Sequence, residues 1–248
     1  MKLGIISFNI RCCDDRNGHS VAERAPRLYS AIAKRDPDLI GIQEFTPIWE
    51  DRFNEMFSSG YVMFNKYRAT SGWIEGGPLL WKKDRFSAEK QGYFWYSDTP
   101  DEESGGWDIT GHKRICTYAV LLDKTSGERF VFMNTHFGFG DDCQIKSALL
   151  IKERIAQFGS LPLFITGDFN AAPDSPAYKT LVSFLEDSNE DKKEITYHAY
   201  APGSPDCAHI DYCFHNGGFR SLGASVVTDT FDGRFPSDHY GLHVCLET

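Results

Sequence analysis

Short polar motifs follow or flank several apolar runs in this chain. Their residues are of the types that take part in phosphoester chemistry. Carboxylates, amides and histidines gathered in one cleft can hold a hard divalent cation and contact a phosphoryl group. Six such motifs occur: Ser7-Phe8-Asn9, Gln43-Glu44, Asn134-Thr135-His136, Gly167-Asp168-Phe169-Asn170, Ile210-Asp211-Tyr212 and Ser237-Asp238-His239.

The oxygen-bearing side chains predict a Mg²⁺ or Mn²⁺ site, since Mg²⁺ prefers carboxylate and water oxygens. Glu44 is the candidate metal carboxylate. Asn9 can either bind the metal through its amide oxygen or orient Glu44, and Asp238 can complete the site. Zinc sites rich in imidazole or thiolate have a different composition.

The remaining motif residues match the other needs of phosphoester hydrolysis, a positioned water and donors for the phosphoryl oxygens. Asp168 is the candidate for orienting or deprotonating the attacking water. Asn170 lies on the same side of an extended segment and can hold the water or a nonbridging oxygen. His136 and His239 are the candidate donors to phosphoryl oxygens.

Each motif has a plain structural interpretation when it is taken alone. Gly167-Asp168-Phe169-Asn170 has the composition of a turn, because Gly, Asp and Asn favour turns for backbone reasons. A single histidine is usually a hydrogen-bonded surface residue. The joint occurrence of the motifs, in order along the chain, favours the functional interpretation.

The elements that must position these residues are strands, with helices between them. Buried strands are predicted before the motifs, and their aligned ends would place the polar residues in one cleft. A capping box at Ser20 and Glu23 predicts a helix that stops near Asp36-Pro37. Strand–helix alternation at both ends, with strand-rich stretches between, favours two packed mixed sheets with helices outside. The apolar runs concerned are Leu3–Ile6, Leu39–Ile42, Phe130–Met133 and Leu161–Ile165, and further helices are predicted over about 48–57 and 144–158 and from about 175.

In this order the motifs resemble the endonuclease/exonuclease/phosphatase family, from Asn9 to His239. Its most specific elements here are Gly167–Asn170 and Ser237–His239. The stretch Phe94–Pro100, with Gly106-Trp107-Asp108 and Arg114, resembles a bacterial subgroup. The resemblance implies an α/β (α+β) fold, a four-layer α/β/β/α sandwich like that of pancreatic deoxyribonuclease. We expect a single domain over 1–248.

The resemblance also implies two acid–histidine pairs. Asp211 would hold His239 protonated, because a nearby carboxylate favours the charged imidazole. Glu75, in Glu75-Gly76-Gly77-Pro78, matches the position of the acid that pairs with the other histidine, His136. A loop carboxylate without a catalytic role is the alternative for Glu75.

Two residues are candidates for substrate binding. Arg114 precedes a strand directed toward the cleft and could donate to phosphate, with a surface position as the alternative. Trp107 could wall the pocket, although such aromatic residues are more often core. The chain departs from many relatives at Gly138-Phe139, where they carry Asp-His, and at Arg11, where abasic-site endonucleases carry Asp.

The net charge is −9 over 248 residues. Proteins that grip long nucleic acids usually carry a basic face, since phosphate contacts dominate that affinity. We therefore expect a phosphodiesterase or phosphatase acting on a small phosphorylated molecule. A DNA or RNA nuclease is the alternative, and a non-catalytic binding protein of the same fold is a third hypothesis.

The seven cysteines are odd in number and include no Cys-x-x-Cys pair. This pattern predicts neither a disulfide framework nor a zinc site. Met1–Ile6 is interpreted as the first core strand instead of a signal segment, and no apolar run approaches the ~20 residues of a membrane span. We expect a cytoplasmic protein without an obligate protein partner.

Overall fold

The computed structural model describes residues 1–189 and 194–248. Two 3₁₀ turns, Pro47–Trp49 and Ala156–Phe158, adjoin the second and third helices. The strands and helices follow in chain order: β1 (Lys2–Asn9), α1 (Val21–Ala33), β2 (Leu39–Gln43), α2 (Glu50–Phe57), β3 (Tyr61–Phe64), β4 (Leu79–Lys82), β5 (Phe86–Trp95), β6 (Ile115–Asp123), β7 (Arg129–His136), α3 (Asp141–Ile155), β8 (Leu163–Asp168), α4 (Pro176–Val182), β9 (Glu186–Asp187), β10 (Asp211–His215), β11 (Arg220–Val227) and β12 (Gly241–Glu247).

The strands form two mixed six-stranded sheets, in the orders β11-β12-β1-β2-β4-β3 and β5-β6-β7-β8-β10-β9. Two pairs, β1–β2 and β7–β8, are parallel, and the other named pairs are antiparallel. This arrangement confirms the predicted four-layer sandwich of two packed mixed sheets with helices outside.

Three apolar cores hold the four layers together. Successive side chains of the central strands point to opposite faces of each sheet and so contribute to two different cores. In β1, Ile5 faces the core between the sheets, whereas Ile6 faces the core under α1 and α2. In β8, Phe164 faces the core between the sheets, and Ile165 packs in the core under α3 and α4. Central strands buried on both faces explain the continuous apolar runs in the sequence.

The parallel pairs carry the polar motifs to the same edge. Asn9 aligns with Gln43 across β1 and β2, and His136 aligns with Asp168 across β7 and β8. Strand β10 runs antiparallel and begins at this edge, where Asp211 aligns with Asp168. The expected convergence of strand ends is therefore present.

The predicted helix over 48–57 needs one correction. Pro47 begins a 3₁₀ turn, and the α-helix starts at Glu50. Proline fits the first turn of a helix because its missing N–H would have no helical partner there. Helix α1 begins as predicted, with both bonds of the Ser20–Glu23 capping box present.

A polar contact joins the two sheets beneath the site. Gln43 Nε2 donates to Asn134 Oδ1 at 2.7 Å, and Thr166 Oγ1 donates to the same oxygen at 3.0 Å. Gly41 leaves room for this network, because a Cβ placed there would lie 2.2 Å from Thr166 Oγ1 and 2.7 Å from Asn134 Oδ1.

We expect Gly41→Ala to destabilise the protein by about 1–3 kcal/mol, the usual cost of overpacking a close-packed core. The measurement is urea unfolding of both proteins. Gly60→Ala is the control, because a Cβ at that glycine has nothing within 4 Å. Equal unfolding midpoints for the two variants would contradict the proposed tight contact.

Candidate active site

A cleft of about 360 Å³ opens at the edge where the polar strand ends meet. Asn9 and Asp211 lie buried beside it, at 0% and 2% exposure. Most of the predicted site residues line the cleft: Glu44, Glu75, Arg114, His136, Asp168, Asn170, Asp238 and His239.

The first acid–histidine pair joins a loop to the end of β7. His136 Nδ1 lies 3.2 Å from Glu75 Oε1, and His136 Nε2 lies 3.5 Å from Asp168 Oδ2. The adjacent Gly76 exchanges backbone hydrogen bonds with Phe45, which holds the Glu75 loop beside the end of β2. Burial alone would raise the pKa of Glu75, but His136 and nearby arginines hold it at about 2.

The second pair joins the start of β10 to the segment before β12. His239 Nδ1 lies 3.0 Å from Asp211 Oδ2, and His239 Nε2 lies 3.8 Å from Asp168 Oδ2. A backbone bridge to Tyr197 fixes His239 from the other side. Burial opposes protonation of His239, yet Asp211, followed by Asp168 and Asp238, raises its pKa to about 10. The imidazole is therefore protonated at neutral pH.

Both histidines converge on one carboxylate, Asp168. Its Oδ2 also accepts from Asn9 Nδ2 at 2.9 Å, and its Oδ1 accepts from the Asn170 backbone N–H at 2.9 Å. Burial raises the pKa of Asp168 above its usual range, and this increase outweighs the opposing charges of the two histidines. A buried carboxylate with a raised pKa is suited to accept a proton.

Comparison with known proteins identifies the family of this chain. The sequence model of the endonuclease/exonuclease/phosphatase family matches residues 6–239. The chain belongs to this family. Members of the family are hydrolases that act on phosphoesters and are generally dependent on divalent metals.

Two solved structures from Bacteroides thetaiotaomicron resemble the whole chain. One is an endonuclease/exonuclease/phosphatase family protein with 29% identity and a TM-score of 0.91, covering 99% of this chain and 97% of that chain. The other is a mannosyl-6-phosphatase with 28% identity and a TM-score of 0.90, covering 99% and 100% of the respective chains. The similarity confirms the fold across the described residues.

A curated plant relative matches over a shorter part. Carbon catabolite repressor protein 4 homolog 3 of Arabidopsis thaliana is 27% identical over 175 residues, which are 66% of this chain and 36% of that protein. The chain thus spans little more than a third of the length of that relative.

The family's metal requirement can be tested against the residues that line the cleft. Glu44 and Asp238 line the same cleft, and burial together with the Glu44 charge raises the pKa of Asp238 although His239 and Arg11 oppose this. A cation between the two carboxylates would relieve this repulsion, so the donor set fits a divalent metal. Asn9 donates its amide N–H to both Glu44 Oε1, at 3.1 Å, and Asp168, while its oxygen accepts from the Arg11 backbone N–H. The Asn9 side chain thus holds the Glu44 carboxylate, and its two predicted roles, metal ligand or orienting residue, stay predictions.

A second group of potential ligands has a different character. Asp168, Asp211 and His239 bring one ligand atom each within 4.8 Å of the others. Metal binding would require His239 to lose its proton, and the raised pKa of this ring opposes that loss. The group is a second candidate metal site beside Glu44 and Asp238.

Three residues around the cleft have left-handed backbone conformations, which most residues other than glycine rarely adopt. The φ angles are +60° at Arg11, +60° at Glu44 and +49° at Asn170. Glu44 is nevertheless fixed, because its Oε2 accepts from the Cys12 backbone N–H at 2.9 Å. Such conformations persist where the surrounding structure over-determines them, and they cluster at functional sites.

The two predicted substrate-binding residues have different positions. Arg114 lines the cleft, while Trp107 lies outside its lining. Trp107 donates its Nε1–H to Asp98 Oδ1 at 3.1 Å and packs against the core beneath α3 and α4.

Arg68 and Trp73 line the cleft and were absent from the sequence-based predictions. Both contact Glu75: Arg68 Nη1 donates to Oε1 at 3.0 Å, and Trp73 Nε1 donates to Oε2 at 3.2 Å. Arg68 and Trp73 lie close in sequence to Glu75, in the same loop between β3 and β4. This closeness to a predicted site residue was the signal that could have identified them.

The cysteines and the helices relate to the predictions about disulfides and membrane spans. The seven cysteines are free. In the described part of the chain, the helices are too short or too polar to cross a membrane.

Proposed function

We propose that the chain is a divalent-metal-dependent phosphoester hydrolase that acts on a small phosphorylated molecule through in-line attack of water. The observation that supports it most is the convergence of His136 and His239, each held by its own carboxylate, on Asp168 Oδ2. This geometry combines a proton acceptor with two donors for phosphoryl oxygens around one point of the cleft.

Each residue then has a defined task. Asp168 accepts the proton of the attacking water. Asn170 fixes its own amide by donating Nδ2–H to the Phe137 carbonyl at 3.0 Å, which leaves Oδ1 to accept from the water. The Nε2 atoms of His136 and His239 donate to nonbridging oxygens once a phosphoryl group replaces their contacts with Asp168.

Glu44 and Asp238 would hold the metal, with Asn9 orienting Glu44. When bound, a divalent cation neutralises charge on the phosphoryl and leaving oxygens. The all-oxygen donor set favours Mg²⁺ or Mn²⁺ over zinc.

The size of the cleft and the net charge of the chain support a small substrate. A volume of about 360 Å³ lies in the range of small-molecule sites. The net charge of −9 opposes the electrostatic grip that long nucleic acids require. The similarity to a mannosyl-6-phosphatase over nearly the whole chain supports a sugar phosphate as the class to test first.

Two further expectations belong to the proposal. The seven free cysteines support a reducing compartment, the cytoplasm. The continuous sheets and shared cores support one domain across 1–248.

The proposed function is tested with a panel of phosphoesters in Mg²⁺ or Mn²⁺: sugar phosphates, inositol phosphates, a chromogenic diester, oligo(A), plasmid DNA and abasic duplex. We expect the highest kcat/KM with a sugar phosphate. A preference for DNA or RNA would move the assignment to a nuclease, and the absence of any hydrolysis would contradict the enzymatic proposal.

Glu44→Gln should raise the metal concentration needed for half-maximal activity by about 10- to 100-fold, because a charged ligand is lost. Metal titrations of initial rate give this value. Glu55→Gln is the control, since Glu55 is a solvent-exposed carboxylate on α2. Full activity in excess chelator would refute the metal requirement.

A further inference from the structure

Two buried arginines line the cleft with most of their hydrogen-bonding capacity unused. Arg68 and Arg114 are only 3% and 4% exposed. Arg68 donates from Nη1 alone, to Glu75, and Arg114 donates from Nε alone, to Asp108 Oδ2 at 2.7 Å. Among the described residues, the other guanidinium nitrogens of both side chains have no hydrogen-bond acceptor, yet they are not sealed from solvent.

Arginines with structural roles in this chain are paired more completely. Arg85 contacts Asp123 through both Nε and Nη2, and its Nη1 pairs with Asp38 at 2.8 Å. Arg24, which is 0% exposed, uses all three guanidinium nitrogens on backbone carbonyls. Since unpaired buried charge is costly, the incomplete pairing of Arg68 and Arg114 suggests that a ligand completes it.

The charges of the two arginines act on one another and on His112. Burial lowers the pKa of His112, and Arg68 and Arg114 lower it further. Burial also lowers the pKa of Arg68, and Arg114 adds to this effect although Glu75 opposes it. Two guanidinium groups that repel one another at the wall of a cleft are favourable partners for an anion placed between them, and the neutral His112 ring can add one N–H donor.

Arg68 is separated from the position of the phosphate that is cleaved. Arg68 contacts Glu75 Oε1, and the same oxygen accepts from His136 Nδ1. The opposite ring nitrogen of His136 faces Asp168. The Glu75 carboxylate and the His136 ring therefore stand between the Arg68 guanidinium and the reacting centre.

We infer that Arg68, His112 and Arg114 form a second anion site, which binds an anionic group of the substrate other than the phosphate that is cleaved. The inference rests on the proposed phosphoesterase function and specifies its substrate class. The matching ligands are small phosphoesters with a second phosphate or a carboxylate, such as a sugar bisphosphate or a phosphorylated sugar acid.

Aromatic side chains flank the second anion site. The Phe139 ring lies 5.7 Å from Arg114 Cζ, and Trp73 lies 6.2 Å from His112, measured between ring centroids. Trp73 and Phe139 are 49% and 44% exposed at the mouth of the cleft. Their apolar faces can cover a sugar ring that connects the two anionic groups.

The kinetic test compares a hexose monophosphate, a hexose bisphosphate and a phosphorylated sugar acid. In the wild type, the substrates with a second anionic group should have the higher kcat/KM. Arg114→Gln and Arg68→Gln should each reduce that preference by about 10- to 100-fold, mainly through KM, as expected for one lost charge-assisted hydrogen bond. The better of the two doubly anionic substrates identifies the second group as phosphate or carboxylate.

Arg129→Gln is the matched control, because Arg129 is an exposed arginine at the far end of β7 that pairs with Glu89. This variant should keep the wild-type preference for substrates with a second anionic group. Equal losses on all three substrates in the Arg114 and Arg68 variants would place these arginines on the cleaved phosphate and overturn the inference. No preference for a second anionic group in the wild type would also overturn it.

A binding measurement separates this inference from the proposed function. Calorimetric titration of inorganic phosphate into chelator-treated protein should find two sites in the wild type and one in the Arg68→Gln/Arg114→Gln double variant. The retained site, at His136 and His239, shows that the variant is folded. If no phosphoester is hydrolysed but the stoichiometry falls from two to one, only the proposed function fails. An unchanged stoichiometry refutes the second anion site.

Discussion

Asp168→Asn is expected to reduce kcat by about 10²- to 10⁴-fold, the usual contribution of a positioned general base. Asparagine keeps the shape of the side chain and can still accept one hydrogen bond, but it cannot take the proton of the attacking water. Because Asp168 must be ionised to act, the wild-type rate should fall as the pH decreases through the raised pKa of this carboxyl group. Steady-state rates from acidic to neutral pH test both statements.

The same variant should remain folded. Burial and Asp211 disfavour the ionised form of Asp168, so removing the charge costs less than removing an ordinary ion pair. Asp101→Asn is the control, because Asp101 is exposed and pairs with Arg154 on the surface. An Asp168→Asn enzyme that retains more than a tenth of the wild-type kcat would exclude Asp168 as the base.

Asp211→Asn should reduce kcat by about 10²-fold or more, since a correctly oriented and charged donor is lost. The pKa of His239 is raised to about 10, so the ring is protonated below that pH and loses its proton as the pH rises through it. Without the Asp211 charge the pKa falls. The alkaline decline of the rate should therefore move to lower pH in Asp211→Asn.

Coupling between Asp211 and His239 is tested by a double-mutant cycle. If Asp211 acts through His239, Asp211→Asn in a His239→Ala background should cost little more than His239→Ala alone. Fully multiplicative losses would mean that the two residues act independently. The His136–Glu75 pair offers an internal comparison, because its histidine is held by a different carboxylate on a different loop.

Residues at strand ends could be predicted because local pattern determines them. The apolar runs before Asn9, His136 and Asp168 are buried on both faces, and parallel pairing brings their ends to one edge. Strand β5 (Phe86–Trp95) was not predicted. Its central residues are mostly exposed and polar, so the apolar pattern that marks the other strands is missing.

Contacts between distant loops could not be predicted from local pattern. Arg68 and Trp73 reach the cleft only because the loop after β3 is bridged to Phe45 and folds over the end of β2. Trp107 lies outside the cleft lining, and its indole N–H donates to Asp98, nine residues earlier. The second anion site likewise depends on which nitrogens of each arginine remain unpaired, which sequence spacing does not specify.

The left-handed conformation of Glu44 has a consequence for protein engineering. At a glutamate this conformation costs about 1–2 kcal/mol of backbone strain, which glycine would release, whereas the asparagine at position 170 tolerates it. Directed evolution for heat resistance alone should therefore enrich glycine at position 44, since each kilocalorie per mole gains roughly 2–4 °C in Tm. On the proposed function, the resulting proteins would be more robust but catalytically impaired. Thermostabilised libraries of this protein should hold position 44 fixed or be selected for turnover at every round.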